Sequence, residues 1–411
     1  MSALLSRPLT LPCGAVLPNR ILKSAMSEIM GTATHAPSDR LPKLYARWAQ
    51  GGVGLSITGN VMIDRRALGE PANVVIEDDR DIDALRAWAT AARSHGGAVW
   101  MQINHPGKQS PSFLSAETVS PSAVGFGPAL AKAFATPRAL TVDEIEDLIA
   151  RFATAADVAV RAGFDGVQIH GAHGYLVSQF LSPHHNRRTD DWGGSLENRA
   201  RFALRVLAAM REKVGPTVPI SIKINSADFQ KGGFTEEESI QVIRWLAEAG
   251  IDLVEVSGGT YEAPAMTGRK VKASTKAREG YFLAFVERVR KEVSVPLAVT
   301  GGFRTAPGME AAVAEGAADM VGIARTLAIQ PDFPKQVLAG EAPVSQVRRL
   351  STGMRALDTM SMLDVTWYEV QLARMGEGKD PLPQMSALRS VGHTMWAQGT
   401  AAFRMRRAKS G

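Results

Sequence analysis

The chain of 411 residues contains one cysteine, Cys13. A lone thiol excludes a disulfide framework, a cysteine-ligated zinc site and an iron–sulfur cluster, each of which needs several thiolates, and it fits a reducing, cytoplasmic setting best. Long apolar runs are missing as well. No stretch approaches the roughly 20 residues of a membrane span, and Met1 to Pro12 lacks the charged-then-apolar layout of an export signal, so neither a membrane partner nor export is expected. No glycine-rich dinucleotide fingerprint follows the first apolar run, which weighs against a doubly wound open sheet. Aromatic residues make up 6% of the chain, and the net charge of +6 comes partly from Arg404, Arg406, Arg407 and Lys409 at the far end. Without a recognition motif or an interleaved aromatic platform, nucleic acid is not an expected partner.

What is present suits a large folded core: 45% hydrophobic and 21% charged residues, with Gly 38 and Pro 22 to turn the chain. Short apolar, β-branched runs recur at Ile21 to Lys23, Leu55 to Thr58, Val99 to Ile103, Val167 to Ile169, Ile220 to Ile224, Leu253 to Val256, Leu297 to Thr300 and Met320 to Ile323. Helix-like segments lie between most of them, at Pro42 to Gln50, Ile82 to Ser94, Val142 to Arg161, Leu196 to Val214, Glu236 to Ala249, Tyr281 to Glu292 and Gly308 to Glu315. This alternation predicts a parallel sheet. Thr141 with Glu144, and Thr235 with Glu238, match the capping box that opens a helix.

A weak internal repeat supports the same unit. It reads Ala162-Gly163-Phe164-Asp165-Gly166-Val167, Ala249-Gly250-Ile251-Asp252-Leu253-Val254 and Glu315-Gly316-Ala317-Ala318-Asp319-Met320-Val321, each a helix end, a glycine stop and a strand buried on both faces. Eight strand–helix units predict a closed parallel (β/α)8 TIM barrel. His105 to Ala139 carries five prolines and is too long for an ordinary connection, so a lid over the barrel mouth is expected there. Residues 1–340 are read as the barrel. Residues 341–411 are read as an extension and tail, with helix-like segments at Val347 to Leu357 and Ser361 to Arg374, and no independent domain.

The densest polar cluster follows the fourth run: His170-Gly171-Ala172-His173-Gly174-Tyr175. Alternation puts Gln168 and His170 on one face of the strand and Val167 and Ile169 on the other, so His170 projects from the strand's carboxyl end, where barrel chemistry sits. If the next turn is helical, His173 shares its side, and two imidazoles can grip one oxygen atom. The same alternation turns Gln102 and Asn104, and Ser221, Lys223 and Asn225, inward. A lysine in an apolar strand needs an anion or a hydrogen-bonding partner, and spacing leaves open whether Lys223 is functional or pairs with a buried carboxylate. Thr300-Gly301-Gly302 and Gly322-Ile323-Ala324-Arg325 end the last two runs, where barrels commonly hold a phosphate.

Several motifs in order carry a resemblance: Pro18-Asn19-Arg20 leading to Ser24-Ala25-Met26, Gly52-Val53-Gly54-Leu55, Gln102, His170 to Leu176, and Arg188 to Arg199. Over roughly residues 5 to 340 the chain resembles the old yellow enzyme family of flavin-dependent ene-reductases. The resemblance implies FMN held non-covalently, with Ala25, Met26, Ser27, Gly59 or Asn60, and Gln102 beside the isoalloxazine ring, and Gly301, Gly302, Ala324 and Arg325 at its phosphate. Lys223 matches the basic residue near the pyrimidine edge of the flavin. His170 and His173 match the pair that binds the activating oxygen of the substrate, and Tyr175 matches the proton donor. Ser27 stands where relatives often carry cysteine or threonine, and Ile29 where some carry a tyrosine. The implied reaction passes hydride from NADPH or NADH through flavin to the C=C bond of a small α,β-unsaturated carbonyl compound.

Three alternatives remain at this stage: a flavin-dependent oxidative demethylase, a barrel enzyme using Lys223 as a Schiff-base nucleophile, and a ligand-binding scaffold without activity. No metal is expected, and the oligomeric state, a homo-oligomer included, stays open.

Overall fold

Each apolar run becomes a strand. The computed structural model describes residues 4–115, 117–128, 130–263, 279–354, 358 and 363–392. Its strands β1 (Ile21–Lys23), β2 (Leu55–Ile57), β3 (Ala98–Asn104), β4 (Gly166–Gly171), β5 (Ile220–Asn225), β6 (Leu253–Ser257), β7 (Leu297–Thr300) and β8 (Met320–Ile323) follow chain order around a closed parallel barrel. Closure is direct, with Ile21 beside Val321 on one side and Leu22 beside Leu55 on the other.

The period of two along each strand sorts the side chains. Outward-facing Val99, Met101, Val167, Ile169, Ile222, Val254 and Val299 join one large core with the surrounding helices. Inward-facing Leu22, Leu55, Trp100, Leu253, Ala298 and Met320 form a second cluster with Leu9, Leu11 and Leu17 of an N-terminal hairpin. That apolar plug fills the amino end of the barrel, so the inward polar residues are left to the carboxyl end.

The longer helices are α1 (Arg40–Gln50), α2 (Ile82–Ala92), α3 (Val142–Arg161), α4 (Leu196–Val214), α5 (Glu236–Glu248), α6 (Leu283–Arg290), α7 (Ala306–Ala314) and α8 (Leu363–Gly376), with short ones at Leu176–Leu181, Arg325–Ile329 and Phe333–Ala339. Both expected capping boxes form: the Glu144 and Glu238 amides donate to Thr141 and Thr235 Oγ1 at 3.2 Å, and the threonine amides donate back at 2.8 and 3.0 Å. The repeat acquires a mechanism. Gly163, Gly250 and Gly316 take φ of 98°, 84° and 70° to stop their helices. Asp165, Asp252 and Asp319 then accept from the amides of Val99, Ile220 and Leu297 at 2.9, 2.8 and 2.9 Å, tying each new strand to the start of the one before it.

The stretch from His105 to Ala139 runs across the mouth with little regular structure, a short 3₁₀ turn at Gly107–Gln109 and a two-residue strand pair, Val119–Ser120 with Arg138–Ala139. Arg188 holds it down: its guanidinium donates to the Pro121 and Leu140 carbonyls at 3.1 and 2.6 Å while Asp190 fixes its Nε at 3.0 Å. The Arg188 to Arg199 motif thus staples the lid and, through the Ser195 hydroxyl accepting from Asn198 N at 3.3 Å, opens α4. Past the barrel, α8 packs on α1, with Arg40 donating to the Ala373 carbonyl at 3.0 Å.

The helix expected at Val347 to Leu357 does not form in its described part, 347–354. The Ser351 and Thr352 hydroxyls instead donate to Asp358 at 2.6 and 2.5 Å, local side-chain bonding that competes with a helix. Arg355 to Leu357 and the basic residues Arg404, Arg406, Arg407 and Lys409 lie outside the described residues. No helix among the described residues is long and apolar enough to cross a membrane.

Candidate functional site

Strand register builds the floor of the site. Gln102 pairs with Gln168, Lys223 with His170 and with Glu255, and Thr300 with Gly322, so inward polar groups from adjacent strands fall at similar heights. They join in one line: Gln102 Nε2 donates to Gln168 Oε1 at 2.8 Å, Gln168 Nε2 to Glu255 Oε2 at 2.9 Å, and Thr300 Oγ1 to Glu255 Oε1 at 2.7 Å. Lys223 Nζ completes it at 3.0 Å from Glu255. Both readings of Lys223 hold geometrically, because its carboxylate partner sits inside the barrel beside the other candidate residues. Burial alone would raise the Glu255 carboxyl, but the Lys223 charge and the hydrogen bonds from Thr300, Gln168 and Lys223 outweigh it and hold the group below the usual range.

Above this floor stand the two histidines. His170 ends β4, but His173 is not in a helical turn as expected. It takes a left-handed φ of 62°, and Gly174 follows at 80°. The reversal still brings the imidazoles together, with ring centroids 5.4 Å apart and planes at 81°. His173 is held by its amide donating to Asn225 Oδ1 at 3.1 Å and by Nε2 against Ser257 Oγ at 2.8 Å. A strained residue so firmly over-determined is typical of a working site. Burial, then the neighbouring His173 and Lys223, push His170 well below 6.5, and burial and then Lys223 push His173 to about 3, so both rings are neutral at neutral pH. Nδ1 of His170 accepts from Ala172 N at 3.4 Å, which leaves Nε2–H free to donate. The Tyr175 ring lies 4.7 Å from His170, and burial holds its hydroxyl protonated.

The expected flavin-side residues converge at the same end. Ala25, Met26 and Ser27 follow β1, and Gly59 and Asn60 follow β2. The two segments touch so closely that a Cβ at Gly59 would fall 2.6 Å from the Met26 carbonyl oxygen. After β7, Gly301 and Gly302 take φ of 111° and 95°, conformations that favour glycine, and a Cβ on Gly302 would strike the Tyr281 ring at 2.6 Å. Ala324 and Arg325 begin a short helix beside them. Two glycines at positive φ, an arginine at the head of that helix and a ring of inward polar groups suit a flavin mononucleotide: Gly301, Gly302, Ala324 and Arg325 would hold its phosphate, and Gln102 and Lys223 would face its ring.

Asn104, which alternation turns inward with Gln102, is 1% exposed, and neither amide atom has a partner among the described residues. Sequence reasoning missed several other residues here. Lys23, Glu28 and Tyr45 form a buried set that holds the Gly59 amide, from which Glu28 Oε1 and Tyr45 OH accept at 3.3 and 3.2 Å. Tyr261, from the loop after β6, meets Tyr175 hydroxyl to hydroxyl at 2.9 Å. Glu369 of α8 is buried and raised well above the carboxylate range by burial and then by Glu70, so the extension reaches the neighbourhood of the site. Ile29, β-branched, stands at φ 51°, a conformation that costs on the order of 1–3 kcal/mol.

His184, His185 and Glu262 also bring donor atoms within 4.8 Å of one another. The Lys108 ammonium lies 3.1 Å from His185 Nδ1 and 3.6 Å from Glu262, so this cluster reads as an ionic clamp on the lid. At the root of the lid, His105 is lowered to about 4, chiefly by burial. Since the unfolded chain binds that proton near pH 6.5 and the folded one does not, this stability is complete above 6.5 and is lost as pH falls toward 4. About 1.4 kcal/mol per unit makes roughly 3 kcal/mol in all. Urea unfolding of the wild type should therefore lose about that much more than His105→Gln between pH 7 and 4. Equal losses would show that His105 is not buried neutral.

The pattern of the NADH:flavin oxidoreductase / NADH oxidase family matches residues 5–342. The NADH-dependent flavin oxidoreductase iliE of Hypocrea jecorina is 40% identical over 358 residues, covering 81% of this chain and 88% of that protein. An NADPH dehydrogenase of a Geobacillus species is 32% identical over 335 residues, covering 81% and 93%. The solved old yellow enzyme homologue of Zymomonas mobilis superposes with a TM-score of 0.70 at 26% identity, over 84% of this chain and 94% of that one. Fold, rim and relatives together define an NAD(P)H-dependent flavin oxidoreductase built on a (β/α)8 barrel. The chain belongs to the NADH:flavin oxidoreductase / NADH oxidase family, and within it to the old yellow enzyme type.

Proposed function

We propose that the protein binds FMN non-covalently and, with NADH or NADPH as reductant, reduces the C=C bond of an α,β-unsaturated carbonyl compound. The observation that carries this reading is the convergence of two neutral imidazoles, 5.4 Å apart, with a buried phenol 4.7 Å from one of them. Bound FMN would supply the hydride that adds to the β carbon. The residues do the rest. His170 and His173 donate to the carbonyl oxygen as it gains enolate charge, an interaction stronger in the transition state than in the ground state. Tyr175 gives its proton to the α carbon. Lys223, anchored by Glu255, would place a positive charge that favours the reduced, anionic form of the bound flavin. Asn104 offers an amide to the substrate side. The Schiff-base reading loses its support once Lys223 Nζ is committed to Glu255 at 3.0 Å.

A second reading, oxidative demethylation of an amine, draws on Glu70 and Glu369, whose carboxyls lie near the tyrosine pair and act on Tyr261 electrostatically. The purified protein should be yellow, bleach anaerobically with NADH or NADPH, and be reoxidised by 2-cyclohexen-1-one with one cyclohexanone formed per flavin. A colourless protein that takes up no FMN would refute the cofactor. Bleaching by trimethylamine in place of nicotinamide would favour the second reading.

A further inference from the structure

The loop after β6 is stitched at three consecutive residues, and each stitch goes to a different part of the site. Thr260 bridges His173 and donates its hydroxyl to Gln230 Oε1 at 3.1 Å. Tyr261 places its hydroxyl 2.9 Å from that of Tyr175, with ring centroids 5.9 Å apart. Glu262 accepts from the lid amide of Gly127 at 3.3 Å and pairs with Lys108 at 3.6 Å. The lid also touches Tyr261 itself, through the Phe134 ring at 6.4 Å, and Phe134 packs on Phe126 at 4.9 Å. Tyr175 is 7% exposed and Tyr261 is half-buried, so of the pair Tyr261 is the more open to solvent.

We infer that Tyr261 is a positioning residue that steadies and reprotonates Tyr175, and that the lid holds it in place. This rests on Tyr175 being the proton donor. When the Tyr175 O–H bond breaks and a C–H bond forms at the α carbon, a phenolate is left in a buried place where water cannot reach it freely. Tyr261 donates to that phenolate, then gives it the proton, so that the Tyr261 O–H bond breaks as the Tyr175 O–H bond re-forms. Tyr261 recovers its own proton from water at the rim. Burial raises Tyr261 to about 12, so it carries a proton to give throughout the neutral range. A hydrogen bond to a charged group carries enough energy for a tenfold to hundredfold effect.

The test uses FMN-loaded holoenzyme, pre-reduced with NADH and mixed with 2-cyclohexen-1-one, with cyclohexanone formation as the readout. Tyr261→Phe keeps the ring against Phe134 and removes the hydroxyl. Product formation should slow at least tenfold, while reduction of the bound flavin by NADH stays within twofold. Tyr175→Phe should be slower still, and Tyr175→Phe/Tyr261→Phe no slower than Tyr175→Phe alone, because the second hydroxyl acts through the first. A wild-type rate in Tyr261→Phe overturns the inference. So does a purely additive double variant, or an equal slowing of both half-reactions, either of which marks an architectural role. A wild-type rate in Tyr175→Phe would instead remove the proton-donor reading, and the relay with it.

Discussion

His170→Ala is expected to slow reoxidation of the reduced enzyme by an enone about 10²- to 10³-fold, the usual cost of losing one donor to a developing oxyanion. The size follows from what remains. His173 keeps its place through Asn225 and Ser257, so one donor of two survives and the site is weakened, not abolished. Because burial keeps the His170 ring neutral, the lost interaction is a neutral N–H to a gathering negative charge, which matters little to a neutral ground-state carbonyl. The loss should therefore appear in the rate at saturating enone more than in the enone concentration needed. His170 is not among the residues placed around the ring or phosphate, so FMN affinity and the rate of reduction by NADH should change only a few-fold. Stopped-flow absorbance of the two half-reactions separates these effects. An unchanged enone rate would remove His170 from the role.

The parts of the site legible in the sequence are those a single strand can report. Alternation alone turned Gln102, Gln168, His170 and Lys223 inward, and the structure joins Gln102, Gln168 and Lys223 in one line through Glu255, with His170 beside it. Glu255 carried the same signal as Lys223, a charge in an apolar strand, but their pairing depends on the register of β5 against β6, which no single strand encodes. Lys23 was hidden for another reason. It lies on the outer face of β1, and its partners come from α1, from the end of β2 and from the loop after β1. Tyr261 and Glu369 reach the site from a loop and from the C-terminal extension, by tertiary routes that leave no periodic trace. The lid was visible as a proline-rich length. Its anchorage by Arg188 was not, although the motif that carries Arg188 was.

Lys23 and its partners give the largest expected effect on stability. Glu28→Ala should cost about 3–5 kcal/mol at pH 7, the usual penalty for stranding one member of a buried ion pair. Lys23 is fully buried, with Nζ 2.5 Å from the Ile57 carbonyl oxygen, 3.0 Å from Tyr45 OH and 3.5 Å from Glu28, over the Trp48 ring at 4.5 Å. Burial depresses its pKa to about 8 even with Glu28 beside it to raise it. In Glu28→Ala that support disappears, and the Tyr45 hydroxyl, which donates to Glu28, loses its acceptor. The sign with pH follows. A lysine whose folded pKa lies below the unfolded 10.5 is penalised fully at low pH, and the penalty fades as pH rises through the folded pKa toward 10.5. The gap between Glu28→Ala and wild type in urea unfolding should thus narrow as pH rises toward about 8, the folded pKa of Lys23 in the wild type, and stay level above it. Lys23→Met/Glu28→Gln should recover most of the loss, since it removes the stranded charge and keeps an acceptor for Tyr45 and for the Gly59 amide. Because that amide belongs to the flavin-side loop, FMN should bind more weakly to Glu28→Ala and nearly normally to the double variant. A Glu28→Ala protein within about 1 kcal/mol of wild type would mean that Lys23 is satisfied by Tyr45 and Ile57 alone, and that the loop around Gly59 is positioned by packing instead of by charge.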